Sequence, residues 1–251
     1  MANSYFKFKQ FKIHQDKCAM KVCTDACLFG ALVAGCRTCL PLGRFPGITK
    51  DGELTHCLDI GTGTGLLSLM IAQKNNDIKV DAVEIDEQAA TQAKENIMAS
   101  PWADKVSVFS EDILAFDPGK KYDCIFSNPP FFEDDLLSDD KTKNNAKHDT
   151  SLSLTQLLQV IDRYLDPKGF FAVLLPYHRV DYFLEEAQKF SLFLSKKILV
   201  KQTFKHKFFR GILFLNRKET EPQSMEIIIK DPEHNYTPEF VAALKDYYLY
   251  L

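Results

Sequence analysis

The run Asn128-Pro129-Pro130-Phe131 carries the most specific chemistry in the chain. An asparagine side-chain oxygen and the carbonyl of the next residue are two hydrogen-bond acceptors side by side. Two prolines fix the backbone, so that carbonyl is preorganised. Such a pair can take both N–H bonds of a conjugated amine, as on adenine. It holds the nitrogen more pyramidal and aims its lone pair at an electrophilic methyl group. No strong general base is needed, because the amine can lose its proton after transfer. Phe131 offers a face on which a base can stack, typically worth ~1–3 kcal/mol. The plain alternative is a rigid turn over a buried ring.

A second constellation lies upstream. Asp59-Ile60-Gly61-Thr62-Gly63-Thr64-Gly65 follows an apolar run and precedes a helical one. Glycines there let the backbone turn tightly and approach a ligand closely. A Walker A loop would need Gly-Lys-Ser/Thr where Leu66 and Leu67 stand. A dinucleotide fingerprint would need a small residue at Leu66. Glu84 ends the next predicted strand, where a carboxylate can accept from both hydroxyls of a ribose. Asp112 ends the one after, where it could equally cap the short segment 113–116. All three acids fall at successive strand ends, the place where open α/β sheets bind ligands.

The elements that must position these residues are legible from period and punctuation. Strands are predicted at 55–60, 79–86, 105–112, 122–127 and 169–176, separated by helices at 64–74, 87–100 and 153–165, with a further helix at 181–191. That alternation predicts a parallel sheet covered on both faces. Residues 196–204 and 207–216 are joined by a few polar residues and predict an antiparallel hairpin. A strand at 224–230 and a helix at 238–251 close the chain. The fold class expected is α/β, Rossmann-like, with a mostly parallel seven-stranded sheet, an antiparallel C-terminal hairpin and helices on both faces. Residues 1–50 read as a basic-aromatic lid packed on a core of residues 51–251, together one structural domain. The longest stretch without structure is 133–150, and loops of that length are usually functional or mobile.

The glycine loop resembles the S-adenosylmethionine loop of class I methyltransferases. The whole chain resembles the bacterial tRNA1(Val) (adenine-37-N6)-methyltransferase family. The distinctive matches are the opening FKFKQFKIHQDKCAMKVCTDACLFGAL, then LDIGTGTGLLSLMIAQ, SNPPFF, KHDTSLSL and YTPEF. That resemblance implies S-adenosylmethionine as cofactor, held by Asp59, Gly61, Gly63, Gly65, Glu84 and Asp112, the last on the cofactor's adenine amino group. It implies that the opening packs over the cofactor pocket, with Lys21, Thr24 and Asp25 lining it. Asn128, Pro129, Pro130 and Phe131 become the catalytic set, and tRNA the substrate, in a loop whose bases can be splayed out. The chain departs from the pattern at Cys23 and Ala26, where glycine is expected, and at Lys147, where arginine is. His148 reads as a loop hydrogen-bonder or part of a helix start rather than a base.

Composition bounds the rest. With 251 residues, a second independent domain would be cramped. Net charge is −3, so nucleic-acid binding must come from local patches. Lys7, Lys9 and Lys12 alternate with aromatic residues in the opening, suited either to RNA or to an edge strand with rings inward. Segment 196–218 holds eight basic residues and no acid, including Lys201, Lys205, Lys207 and Arg210, and is the stronger electrostatic candidate. No apolar run reaches the ~18 residues of a membrane span, and the amino terminus lacks the apolar core of a signal peptide. A cytoplasmic protein with no obligate protein partner is expected. Among seven cysteines, Cys23, Cys27, Cys36 and Cys39 could suggest zinc. The apolar stretch between them favours packing, and no metal is expected. Methylation of a protein glutamine or of rRNA remains open, as does a non-catalytic RNA-binding module.

Overall fold

The computed structural model describes residues 3–35, 55–130 and 152–251. Phe131, Cys36, Cys39, Lys147, His148 and the 133–150 stretch lie outside them. Ten strands and six helices follow in the order β1 (Tyr5–Lys7), β2 (Lys12–His14), α1 (Thr24–Ala34), β3 (His56–Ile60), α2 (Leu66–Lys74), β4 (Lys79–Glu84), α3 (Glu87–Met98), β5 (Val106–Ser110) and β6 (Tyr122–Ser127). Then come α4 (Leu154–Tyr164), β7 (Leu165–Pro176), α5 (Val180–Gln188), β8 (Phe193–Thr203), β9 (Phe208–Asn216), β10 (Gln223–Lys230) and α6 (Pro238–Leu244).

The central sheet has the order β10-β8-β9-β7-β6-β3-β4-β5. All its pairings are parallel except β7 with β9 and β8 with β9. It has eight strands rather than the expected seven: β10 adds in parallel to the outer side of β8. Alternation along β7 shows how the two faces fill. Phe170, Ala172 and Leu174 join a core with α1, α2 and α6, whereas Phe171, Val173 and Leu175 join one with α4 and α5. Both faces being covered, the inner strands carry near-continuous apolar runs.

Local chemistry sets the ends. Ser153 caps α4 in a capping box, its Oγ accepting from the Gln156 N–H while Gln156 Oε1 accepts from the Ser153 N–H. Asp86 Oδ1 caps α3 at 2.7 Å from the Ala89 nitrogen. Two boundaries differ most from expectation. β7 begins at Leu165, directly after α4, because Leu165 pairs with Tyr122 across a bulge before the Asp166-Pro167 turn signal. The final helix stops at Leu244, beyond which Tyr247 and Tyr248 are buried, with the Tyr247 hydroxyl donating to the Met70 carbonyl.

The opening is a short hairpin of β1 with β2. Phe8 and Phe11 stack at 4.5 Å and are buried, while Lys7, Lys9 and Lys12 stay exposed. The Phe8 and Phe11 rings therefore face the core, while Tyr5 and the cations face solvent. Lys9 anchors it to the chain's end, with its N–H on the Tyr247 carbonyl and its Nζ on the Lys245 carbonyl.

Candidate active site

The parallel register of β3 with β6, Ile60 beside Ser127, brings the glycine loop and the Asn128-Pro129-Pro130 turn together at one edge of the sheet. Ser127 Oγ donates to the Ile60 carbonyl at 2.8 Å and ties the two strand ends. β4 ends beside them at Glu84, and β5 next to β4 leads to Asp112. The three acids and the turn thus share the carboxyl edge.

Gly61 and Gly63 hold φ values of 72° and 56° and have open space where a side chain would sit. Any other residue there would strain the backbone and project into that space. Asp59 lies fully buried beneath the loop, its Oδ2 accepting from Thr62 Oγ1 and Ser68 Oγ, each at 2.7 Å. Its Oδ1 is buried and has no hydrogen-bond partner among the described residues. Burial pushes the Asp59 carboxyl up to about 6, against the pull of those two hydroxyls. A buried carboxylate oxygen with nothing to accept from is a place prepared for a donor.

Glu84 pins the loop to β4. Its Oε2 accepts from the Gly63 N–H at 2.8 Å and its Oε1 from the Asp86 N–H at 3.0 Å. Each oxygen keeps a further lone pair. Asp112 is half-buried and its Oδ1 accepts from the Leu114 N–H, so it also caps the turn that follows.

The opening crosses this edge as a strap. Asn96, buried on α3, accepts from the His14 N–H and donates to both the His14 and Thr64 carbonyls. One amide thereby clamps β2 to the glycine loop. Gln92, one turn earlier, accepts from the Lys17 N–H. Burial, then the Glu84 charge, raises the Cys18 thiol to about 11, which puts the strap beside β4. Met20 reaches β6, where its sulfur accepts from Asn128 Nδ2 at 3.7 Å. Asp25, in the first turn of α1, meets Arg210 of β9 at 2.7 Å. Lys21 turns back to the Gln15 carbonyl, and Thr24 opens α1 half-buried.

The basic hairpin is less free than its composition implies. Arg210 is paired with Asp25, Lys201 with Glu226 at 3.2 Å and Arg217 with Asp162 at 2.7 Å. Lys196 is fully buried, and burial lowers its pKa. Lys205 and Lys207 remain exposed at the turn. Arg210, one of the residues expected on a nucleic-acid surface, shares its charge with a carboxylate 185 residues away in sequence.

Asn96, Gln92 and Met20 were missed by the sequence reading. The signal for the first two was present: two amides four residues apart on a helix face otherwise made of Ala89, Ala93 and Ile97. Cys23 and Cys27 are free thiols, half-buried and buried, raised to about 12 by desolvation. Among the described residues no group of metal-binding side chains occurs.

A mostly parallel sheet whose strand ends carry a glycine loop and successive acids defines a class I S-adenosylmethionine-dependent methyltransferase. The methyltransferase small domain model matches residues 47–174. The chain is 40% identical to a tRNA1(Val) (adenine(37)-N6)-methyltransferase from Dyadobacter fermentans, over 98% of both chains. It is 40% identical to one so named from Trichodesmium erythraeum, over 99% of both, and 36% identical to one from Pectobacterium carotovorum, over 98% and 94%. The chain belongs to this tRNA1(Val) (adenine(37)-N6)-methyltransferase family. Among solved structures, an O-methyltransferase from Agrobacterium tumefaciens superposes with a TM-score of 0.61 at 11% identity, covering 88% of this chain and 95% of that one. A class I S-adenosylmethionine-dependent methyltransferase from Listeria monocytogenes gives 0.56 at 18%, covering 80% and 64%. These two likenesses concern the fold.

Proposed function

We propose that this protein methylates the N6 amino group of adenine 37 in tRNA1(Val), the reaction its relatives are named for, with S-adenosylmethionine as donor. The observation that carries the reading is the register of β3 with β6, which sets Asn128 beside the glycine loop. When bound, S-adenosylmethionine supplies an electrophilic methyl on a sulfonium.

The residues present fit that donor. Gly61 and Gly63 leave the loop backbone open to close approach, Gly65 lets the loop pack against Ile97 and Ala93 of α3, and the orphaned Asp59 Oδ1 suits an ammonium group. Glu84 is held in place by two backbone amides and takes the ribose hydroxyls; Asp112 takes the adenine amino group. Lys21 and Thr24 border the pocket from the strap. The described part of the opening, residues 3–35, acts as its lid.

On the acceptor side, Asn128 Oδ1 and the Pro129 carbonyl take the two N–H bonds of the target amine. Pro129 is buried, so its carbonyl does not wander. Met20 occupies the Asn128 amide and gives way to the base; a thioether is a weak acceptor and costs little to displace. Pro130 stiffens the turn and Phe131 supplies the stacking face. Lys7, Lys9, Lys12, Lys205 and Lys207 add phosphate contacts. The protein acts in the cytoplasm; among the described residues no helix is long and apolar enough to cross a membrane.

The test is to incubate the protein with labelled donor and total tRNA from a strain lacking its gene, then map the labelled nucleoside. Label in N6-methyladenosine at position 37 of tRNA1(Val) is expected. Label on protein, on rRNA, or on none of them would overturn the reading.

A further inference from the structure

One surface of the carboxyl edge lies outside the methyl-transfer site. β8 runs parallel to β7 and β6 through the sheet, so the turn that joins it to β9 lies on the same edge as Asn128. β7 leaves the sheet at Pro176, opposite Arg210, and the next residue, Tyr177, sets its ring 5.3 Å from that of Phe208. Tyr177 is 44% exposed, and Phe204, in the turn between β8 and β9, is 51% exposed, so both offer ring surface to solvent at this edge.

Cations frame these rings. Lys201 Nζ lies 4.1 Å from the centre of the Phe208 ring, and Lys205 Nζ 5.6 Å from that of Phe204. Lys205 and Lys207 are exposed, and neither forms an ion pair with a described residue. Flat apolar faces interleaved with cations match a ligand made of flat bases and phosphates. β9 lies two strands from β6 and β8 three, which is roughly 10 and 14 Å across the sheet. A nucleic-acid strand delivering one base to Asn128 would lay its neighbours here.

We propose that Tyr177, Phe204 and Phe208 form a stacking platform for the unpaired bases flanking the target adenine, with Lys205 and Lys207 on their phosphates. This rests on the RNA reading of the active site. It assigns the hairpin turn a role in holding the loop open: bases stacked on protein are bases not stacked on the target.

The experiment measures methylation of the anticodon stem-loop by wild-type protein, by Tyr177→Ala/Phe204→Ala and by Tyr177→Phe/Phe204→Tyr. Both positions are solvent-facing, so the fold is expected to persist. Calorimetric affinity for S-adenosylmethionine, unchanged within about two-fold, confirms it. The alanine pair should raise KM for the RNA by about 5- to 50-fold, with kcat little changed, and the aromatic pair should restore it. An alanine pair with wild-type KM would overturn the platform while leaving the active-site reading intact. A wild-type protein that labels no RNA would remove the substrate reading itself, and the platform with it.

Discussion

At the β3–β4–β6 side of the carboxyl edge, functional groups are buried and tied to one another. Asp59 sits beneath two hydroxyls, Glu84 holds two backbone amides, and Asn96 clamps strap to loop. At the β8–β9 side the aromatic and basic side chains of the turn stand in solvent. The opening segment sharpens the contrast, since it has the same basic-aromatic composition as the hairpin yet buries Phe8 and Phe11. The difference follows from what lies opposite each ring. Facing α3 and the closing tyrosines, a phenylalanine is core; at a turn with nothing above it, it is surface. Rigid placement suits the step where an atom must be aimed, and a soft, charged surface suits the gathering of a flexible polyanion.

Phe8→Ala should break the buried side hardest, costing about 3–5 kcal/mol in urea unfolding, whereas Phe204→Ala should move stability by no more than about 0.5 kcal/mol. Equal costs would erase the distinction between the two segments. Asn128→Ala should lower turnover by about 100- to 1,000-fold, a loss typical of removing one preorganised polar contact, with calorimetric donor affinity nearly intact. Full turnover would take Asn128 out of the chemistry.

Asp59 tests the buried side through pH. Its folded-state pKa of about 6 lies above the ordinary 3.8, so folding favours the neutral form. The stability this group lends is complete below about pH 4 and is lost as pH rises through 6. In the cofactor-free protein, Asp59→Asn should therefore be more stable than wild type by about 3 kcal/mol at pH 8. The gap should close toward pH 4 in unfolding curves taken across that range. A variant less stable at pH 8 would mean that the carboxylate is better satisfied than its orphaned oxygen implies. The smallest effect is expected at the open side. Lys205→Glu with Lys207→Glu should leave the melting temperature almost unchanged, yet weaken RNA binding and reduce its salt dependence. An unaltered salt slope would exclude both lysines from phosphate contact.

The inner strands were legible because burial on both faces leaves an unbroken apolar signature, as in 122–127 and 169–176. The early start of β7 was not, because Asp166-Pro167-Lys168-Gly169 has the local chemistry of a turn and only pairing with Tyr122 overrides it. The acids of the site were legible by their order at strand ends. Arg210 was not, because its partner Asp25 is remote in sequence and composition records charge without its pairing. Asn96 and Gln92 share the apolar face of their helix in the sequence, but nothing local names the backbone they bind. Their burial depends on the strap that folds over them.

The eighth strand has a mechanical consequence. With β10 alongside, β8 is no longer the margin of the sheet, and it is paired on both flanks from Lys196 to Lys201. The exposed Gln223, Ser224 and Glu226 of β10 now form the outer rim, which polar and charged side chains protect from sticking to other chains. The turn between β8 and β9 is thus carried on a braced strand, and its own hydrogen bonds, Thr203 Oγ1 with His206 Nδ1 and the His206 N–H on the Thr203 carbonyl, hold its shape while its side chains face solvent.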